Sequence, residues 1–438
     1  MFAHRRARRA HRRAHRSTRR TVAIAAVATA LVLTSCSTPS TGGNAPASST
    51  PGVTDDTVTI GTHTPLTGPA APGYASVSAG ALAYFAYVND NGGMHGRKIN
   101  YIVKDDGYNP ANTQMVVREL VQDDQVFAIF NGLGTPTHSS VIDFLNDNGV
   151  PDLFVSSGST TWNQPKSYPN LFPFNANYVV EGSALGQYAT DELTGQTACF
   201  LGQDDDLGGD MRRGAELVLG EGGLAQVEEY PTSNADLTAQ VGALKSAGCE
   251  VVILAAIPGF VALSLTTAAR LDWSPTWITS SVGSDQLVLL DLLGEGGAGL
   301  LEGLVSTGYL QSADEDNGWS ELFRQINTDY NSDAPFTGAV FNGMSSAYLF
   351  TEALYAAGQE PTRESIVEAI TSGKLVGNGM FPLSFKKDDY SSFRGVGIAV
   401  IRDGLQKFEG TAYRLDGDKV TAVEPEPVPL VGKGIPGL

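Results

Sequence analysis

From Val58 onward, short apolar runs take turns with amphipathic stretches, and this alternation constrains the fold more than any other feature of the chain. Runs at Val58–Ile60, Ile99–Val103, Val126–Phe130, Leu153–Val155 and Leu171–Phe174 read as strands. Helical periodicity falls between them, near Ser76–Asn89, Ala111–Val121 and Ser139–Asn146. Asn109-Pro110 supplies an N-cap with Pro at the first helical position, and Gly92-Gly93 supplies a stop. The pattern then recurs. Strands are expected at Ala198–Leu201, Gln226–Glu229, Val251–Ala255, Thr276–Ile278 and Leu304–Ser306. Helices are expected near Gly208–Leu219, Leu237–Ala247, Val261–Arg270 and Asp285–Leu292. Apolar strands alternating with helices predict an α/β fold, its parallel sheets covered on both faces. Two such series predict two doubly wound lobes. Helical patterns at Gly318–Thr328, Ala339–Ala357 and Glu364–Ser372 follow, then a β-rich end at Gly395–Arg402 and Leu405–Phe408.

A chain of 438 residues exceeds one ordinary core, in keeping with two or three domains. Residues 1–35 hold nine Arg and no acid, so removing them leaves 20 basic residues against 47 acidic ones, a net of −27. A body that acidic is repelled by phosphate backbones and anionic lipid, which excludes nucleic-acid binding and electrostatic membrane binding. Three Cys are too few for a disulfide scaffold or a cysteine zinc site.

The Arg-rich stretch precedes an apolar run, Val22–Leu33. Twelve residues are too few for a spanning helix, which needs about 20. Charge followed by a short apolar run is the order of a secretory signal, expected over residues 1–35. Its end, Leu33-Thr34-Ser35-Cys36, resembles the bacterial lipobox, which implies cleavage before Cys36 and a diacylglycerol on its sulfur. The alternative is a short buried helix that contains a Cys. Thr18-Arg19-Arg20-Thr21-Val22 also resembles a twin-arginine export signal. Ser37–Gly52 has no charge and no large apolar residue, so residues 36–55 read as a lipidated Cys and flexible tether. Glu424–Leu438 is Pro/Gly-rich, and residues 413–438 read as a surface-lying or disordered tail.

Three segments carry a family resemblance. Ile60-Gly61 with Pro65-Leu66-Thr67-Gly68-Pro69 opens the first series, Asn89 to Ile99 (NDNGGMHGRKI) follows, and Lys104-Asp105-Asp106 with Asn109-Pro110 comes next. Together they resemble the leucine/isoleucine/valine-binding type of ABC-transporter substrate-binding protein, over roughly residues 56–410. The resemblance implies a type I periplasmic-binding fold, in which a three-crossing hinge joins the lobes. Crossings are expected near Asn175, Thr307 and Asp388. That places residues 56–174 and 308–388 in lobe 1, and residues 175–307 and 389–412 in lobe 2. It also implies a small-molecule ligand, a membrane ABC permease as partner, an extracytoplasmic location anchored through Cys36, and a monomer. A ligand-sensing module that reports to a receptor without transport would share every one of these sequence features.

In open α/β sheets, ligands bind beyond the carboxyl ends of strands. Two loops meet that description: Asn131–Thr137 and Ser156–Thr161. Their Gly residues let backbone approach a ligand, and their hydroxyls donate. By resemblance, Thr135, Ser159 and Thr160 hold a ligand carboxylate and amino group, with Thr137 beside them and Tyr74 over the ligand. Ser and Thr at turns also serve simply as caps. In the second lobe the family's Tyr-Gly pair is replaced within Gln203-Asp204-Asp205-Asp206-Leu207-Gly208, so Leu207 stands where Tyr is usual. An acid to pair with a ligand ammonium is expected near Ser280-Ser281-Val282-Gly283, and none is there. Either Asp206 takes over that pairing, or the ligand is a carboxylate, amide or other small polar molecule with no ammonium group. The Asp triplet also reads as a solvated helix cap. Cys199 and Cys249 open strands that a 2-1-3 order makes neighbours, so a disulfide and two buried thiols are both open readings.

Catalytic constellations are missing from the sequence. Beyond residue 35 the only His are His63, His95 and His138, and there is no HExxH, GxSxG or GxxxxGK[ST]. His138 follows the Thr135–Thr137 loop, where contact with a ligand and a capping or surface role are both open readings, the second favoured. No cofactor or metal is expected, and no bond is expected to be made or broken.

Overall fold

The structure is a computed structural model that describes residues 50–438. The Arg-rich leader, the lipobox with Cys36, and the tether up to residue 49 lie outside the described residues. The first sheet contains β1 (Thr57–Thr64), β2 (Lys98–Asp105), β3 (Ile129–Phe130), β4 (Asp152–Val155) and β5 (Leu171–Pro173). It is wholly parallel, in the order β2-β1-β3-β4-β5. Its connections carry α1 (Ala71–Asp90), α2 (Pro110–Gln122), α3 (Thr135–Ser139) and α4 (Ile142–Asp147).

The second sheet contains β6 (Ala198–Gln203), β7 (Val227–Tyr230), β8 (Val251–Ala255), β9 (Thr276–Thr279) and β10 (Val305–Gly308). An antiparallel extension adds β11 (Gly395–Arg402), β12 (Leu405–Asp416) and β13 (Lys419–Val423). The order is β13-β12-β11-β10-β9-β8-β6-β7. Its helices are α5 (Tyr178–Glu192), α6 (Asp206–Leu219), α7 (Thr238–Ser246), α8 (Pro258–Arg270) and α9 (Gln286–Leu293). Within each sheet the first strands run 2-1-3-4-5, the doubly wound arrangement that the alternation predicts. Strands buried on both faces are written as unbroken apolar runs, as in Val251–Ala255, where every residue is buried.

Three later helices, α10 (Gly318–Tyr330), α11 (Gly338–Ala356) and α12 (Arg363–Thr371), return to the first lobe. There α11 lies hard against α1. A Cβ on Gly343 would meet the Val77 carbonyl oxygen at 1.9 Å, and one on Gly80 would meet that of Val340 at 2.3 Å. Only glycines let these helices cross so closely. Among the described residues, no helix is long and apolar enough to cross a membrane.

The chain changes lobe after β5, where Asn177 caps α5, and again after β10. The third passage lies beyond Phe393, not near Asp388. Tyr390 still belongs to the first lobe: its N–H donates to Asn163 Oδ1 at 2.7 Å and its ring packs on Phe172 with centroids 4.4 Å apart. A fourth passage follows β13. The Glu426 and Val428 N–H groups donate to the carbonyls of Met380 and Gly379, and the chain then seats Ile435 in the first lobe's core. Residues 413–438 are therefore a strand, a hairpin partner and a strap, in place of the expected tail. Residues 50–55 also differ from the expected tether: Thr59 N–H donates to the Gly52 carbonyl and Arg97 Nε to that of Thr54.

Candidate ligand-binding cleft

The carboxyl ends of both sheets face one another across a cavity of about 190 Å³. That is more than ten times what one water needs. Its apolar wall includes Leu207, Ile257, Val282, Phe336, Phe341 and Phe408. Tyr74 reaches it because α1 breaks at Pro72 and Gly73, where Gly73 has φ 110°. The Tyr74 hydroxyl then crosses the cleft to donate to the Val282 carbonyl at 2.7 Å.

On the first lobe, Thr135 faces the cavity from the start of α3. Its Oγ1 lies 2.8 Å from Ser157 Oγ and 3.4 Å from the Tyr178 hydroxyl. This is a cluster of neutral hydroxyls, and burial pushes the Tyr178 phenol up to about 12. Below it, a buried chain runs Asp106–His63–His138–Asp152. The contacts are 2.8 Å from Asp106 Oδ2 to His63 Nδ1, 2.9 Å from His63 Nε2 to His138 Nδ1, and 2.7 Å from His138 Nε2 to Asp152 Oδ2. Desolvation holds His63 below its ordinary value. Gly132 sits directly on this chain: a Cβ there would lie 2.6 Å from a ring nitrogen of each His. His138 is thus a fully buried support for the loop, neither cap nor surface residue.

Of the residues singled out in the sequence, Tyr74, Thr135, Leu207 and Ser281 line the cavity. The others do not. Thr137 is fully buried and donates to the Leu133 carbonyl at 2.7 Å. Ser280 is fully buried, with its hydroxyl unpartnered. Ser159, Thr160 and Asp206 are joined to one another and their neighbours across the rim. Ser159 Oγ and Thr161 Oγ1 donate to Asp206 Oδ2 at 2.6 and 3.1 Å, and Thr160 N–H donates to Asp210 Oδ2 at 2.8 Å. These acids sit in the first turns of α6, where the helix dipole favours negative charge. They form a latch between lobes, which takes Asp206 away from any ligand. On the opposite rim Asp285 caps α9 through Val288 N–H and also accepts from Ala339 N–H of α11 at 3.0 Å. Hydrogen bonds thus bridge the lobes at both rims.

At the hinge, Glu181 and Asn342 escaped the sequence reading, and Asn175 and Thr307 entered it only as lobe crossings. Glu181 of α5 is fully buried and accepts from the Ser281 N–H at 2.7 Å, the Ser281 hydroxyl at 3.1 Å and the Thr307 hydroxyl. Burial raises its carboxyl above the ordinary range, while those donors pull it back. Thr307, Asn175 and Asn342 line the cavity. Asn342 Nδ2 donates to the Tyr309 hydroxyl at 3.0 Å, which leaves its Oδ1 without a partner; Asn175 Oδ1 is also unpartnered. Sequence spacing carries no trace of this group, because its members come from four different segments. Cys199 of β6 and Cys249, just before β8, are bonded, with Cα atoms 5.8 Å apart.

Two doubly wound lobes that face one another across a cavity at the carboxyl ends of their strands define a type I periplasmic-binding fold. The periplasmic binding protein family matches residues 57–404, and the chain belongs to that family. Curated relatives include a Leu/Ile/Val-binding protein homologue of Brucella melitensis, 26% identical over 44% of this chain and 53% of its own length. Another is the leucine-, isoleucine-, valine-, threonine- and alanine-binding protein of Pseudomonas aeruginosa, 24% identical over 45% of this chain and 53% of that one. The chain thus spans about half the length of the curated relatives it matches. Among solved structures, a branched-chain amino acid ABC transporter protein of Thermus thermophilus with bound valine superposes with TM-score 0.72 at 22% identity, covering 85% of this chain and 97% of its own. A fatty acid ABC transporter substrate-binding protein of Thermomonospora curvata gives 0.72 at 23%, covering 86% and 94%. These likenesses carry the fold.

Proposed function

We propose that this chain is the extracytoplasmic solute-capturing component of an ABC importer, held near its permease by a lipid on Cys36. It closes over a small molecule with an aliphatic or aromatic body and a polar head. The cavity walled by both lobes carries this reading: a solute there touches both lobes at once, so it favours the shut form by its contacts with each. One structural neighbour holds bound valine, and the other is named for fatty acid transport. Those ligands share a carboxylate on an aliphatic body, and the hydroxyls of Thr135, Ser157 and Tyr178 suit a carboxylate.

The test is calorimetric titration of the purified protein with pooled amino acids and pooled aliphatic and aromatic carboxylates, paired with small-angle scattering. A binding pool should shrink the radius of gyration. Thr135→Ala should weaken that binding by roughly 1–3 kcal/mol, the size of a lost hydrogen bond to a charged group. Tight binding with no compaction, or no effect of Thr135→Ala, would move the site elsewhere.

A further inference from the structure

Two histidines stand end to end beneath the loop that presents Thr135. His63 of β1 and His138 of α3 lie between Asp106 and Asp152, and all four side chains are buried. Asp106 acts as an acceptor, since its carboxylate also takes the Tyr108 N–H at 2.9 Å and the Thr113 hydroxyl at 3.0 Å. Each outer contact of the chain therefore uses one ring proton. The inner contact, His63 Nε2 to His138 Nδ1 at 2.9 Å, needs a third, because two bare lone pairs repel at that distance. Burial holds His63 below its ordinary value, which makes His138 the ring with two protons. Two carboxylates against one imidazolium leave one net negative charge. The neighbouring charges are engaged elsewhere. Asp105 accepts from the Leu66, Thr67 and Gly107 N–H groups, and Lys104 pairs with Glu119 and Asp124. Lys98, Arg118, Asp143 and Asp147 are exposed. Burial pushes the nearby Tyr108 phenol up, so it keeps its proton.

The loop rests on the inner contact. A Cβ on Gly132 would lie 2.6 Å from both of its nitrogens. Leu133 N–H donates to the His63 carbonyl at 3.2 Å, and His138 N–H donates to that of Gly134 at 3.0 Å. Leu133, Gly134 and Thr135 line the cavity, so parting the two rings moves the cavity wall. The chain is also lopsided toward acid. A fourth proton has a place on Asp152 Oδ1, which has no partner, whereas loss of the third breaks the inner contact.

We propose that His63 and His138 are positioning residues for solute capture: the proton they share fixes the Gly132–Thr135 turn, and its loss at alkaline pH displaces Thr135 and weakens binding. The inference rests on the solute-capture reading and deepens it, by making capture depend on one buried proton.

The first readout needs no ligand. In histidine-labelled protein at about pH 7, ring NMR should show one neutral and one doubly protonated ring in the chain. As pH rises to about 10, the third proton should leave in one step, and the backbone amides of Gly132, Leu133 and Thr135 should shift with the same midpoint. The second readout is calorimetric affinity for the tightest of four probes: L-leucine, L-phenylalanine, 4-methylpentanoate and 3-phenylpropanoate. It should fall about 10-fold or more across that step, the loss of one hydrogen bond to a charged group. Asp152→Asn removes a carboxylate that holds the proton, so ring, amide and affinity midpoints should move down together by about one pH unit or more. That joint movement separates the chain from titration of the probe itself. Two neutral rings at about pH 7 overturn the proposal. So do amides or an affinity that ignore the step, midpoints equal in wild type and variant, or a third proton that both proteins keep until they unfold. No binding by any probe removes the capture reading, and the ring and amide spectra then decide the positioning of the loop by themselves. If Asp152→Asn does not fold, Gly132→Ala takes its place, since its methyl presses on both inner nitrogens. The same downward movement is expected, and an unchanged midpoint counts against the proposal.

Discussion

A carboxyl held away from water ties the cleft to pH. The folded protein raises the Glu181 carboxyl above its ordinary value of 4.5, chiefly by desolvation. The folded state therefore binds that proton more tightly than the unfolded chain does. Stability from the protonated form is complete below the ordinary value and is lost as pH rises through the raised one. In the ligand-free protein, melting temperature should fall across that window by more in wild type than in Glu181→Gln; equal pH profiles would show that the carboxyl is not perturbed. The wild-type minus variant difference is the quantity to read, because burial also raises Asp205, Asp210 and Asp285. At this scale the sequence shows residue types at loop ends, and so Thr135 and Ser281 were legible as cleft residues. It does not show which hydroxyls turn away. Ser159 and Asp206 looked like ligand groups because their chemistry suits a ligand, yet the same chemistry suits each other across the rim. Glu181 was not legible at all, since its meaning depends on Ser281 and Thr307 arriving from the second lobe's strand ends.

Elements were legible where one face meets water and the other a core. Helix α5 was missed for the opposite reason. Nearly every position of Tyr178–Gly186 is buried, so no polar stripe marks its period, and only Asn177 at its cap signals a start. Burial on all sides follows from Gly182, where a Cβ would meet the Met211 carbonyl at 2.1 Å, and Gly214, where one would meet that of Val179 at 2.3 Å. Helices α5 and α6 touch backbone to backbone there, which fixes Glu181 relative to the latch acids of α6. The start of β12 was legible at Leu405–Phe408, but its continuation to Asp416 and β13 were missed because most of those residues are at least partly exposed, so their alternation is faint. The disulfide acts at the same scale. It joins β6 to β8 across 50 residues of sequence that contain α6, β7 and α7. Closing a loop of that size in the unfolded chain corresponds to about 4 kcal/mol in the chain-entropy account. A Cys199→Ser/Cys249→Ser double variant should lose about 2–4 kcal/mol in denaturant unfolding. Ligand affinity should hold, because the bond lies away from the cavity wall. A loss of affinity with unchanged stability would contradict this assignment.

Over the whole molecule, the lobes are coupled by four chain passages and two latched rims. The strap after β13 is the passage that most limits opening. It leaves the second lobe, pairs with Gly379 and Met380 at the hinge, and ends in the first lobe. There the Val428 carbonyl accepts from Gln311 Nε2 at 2.9 Å and Trp319 Nε1 at 3.0 Å, and the Gly434 carbonyl accepts from the Tyr84 hydroxyl at 2.6 Å. Trp319 is only 1% exposed. A strap fixed at both ends resists rotation that would lengthen the path between them, so it should keep the open form close to the shut one. Removing residues 424–438 would free that rotation and strand the Trp319 and Tyr84 donors, each at a penalty of roughly 1–3 kcal/mol where water cannot replace the partner. The truncated protein should show a larger radius of gyration without ligand, red-shifted tryptophan emission and a lower melting temperature. Its shut, ligand-bound form should keep the radius of the intact protein, because the latches of Asp206, Asp210 and Asp285 remain. Since opening is then easier, more of the ligand's contact energy goes into closing, and affinity should fall. An unchanged ligand-free radius after truncation would mean that the strap merely covers the first lobe and leaves the hinge free.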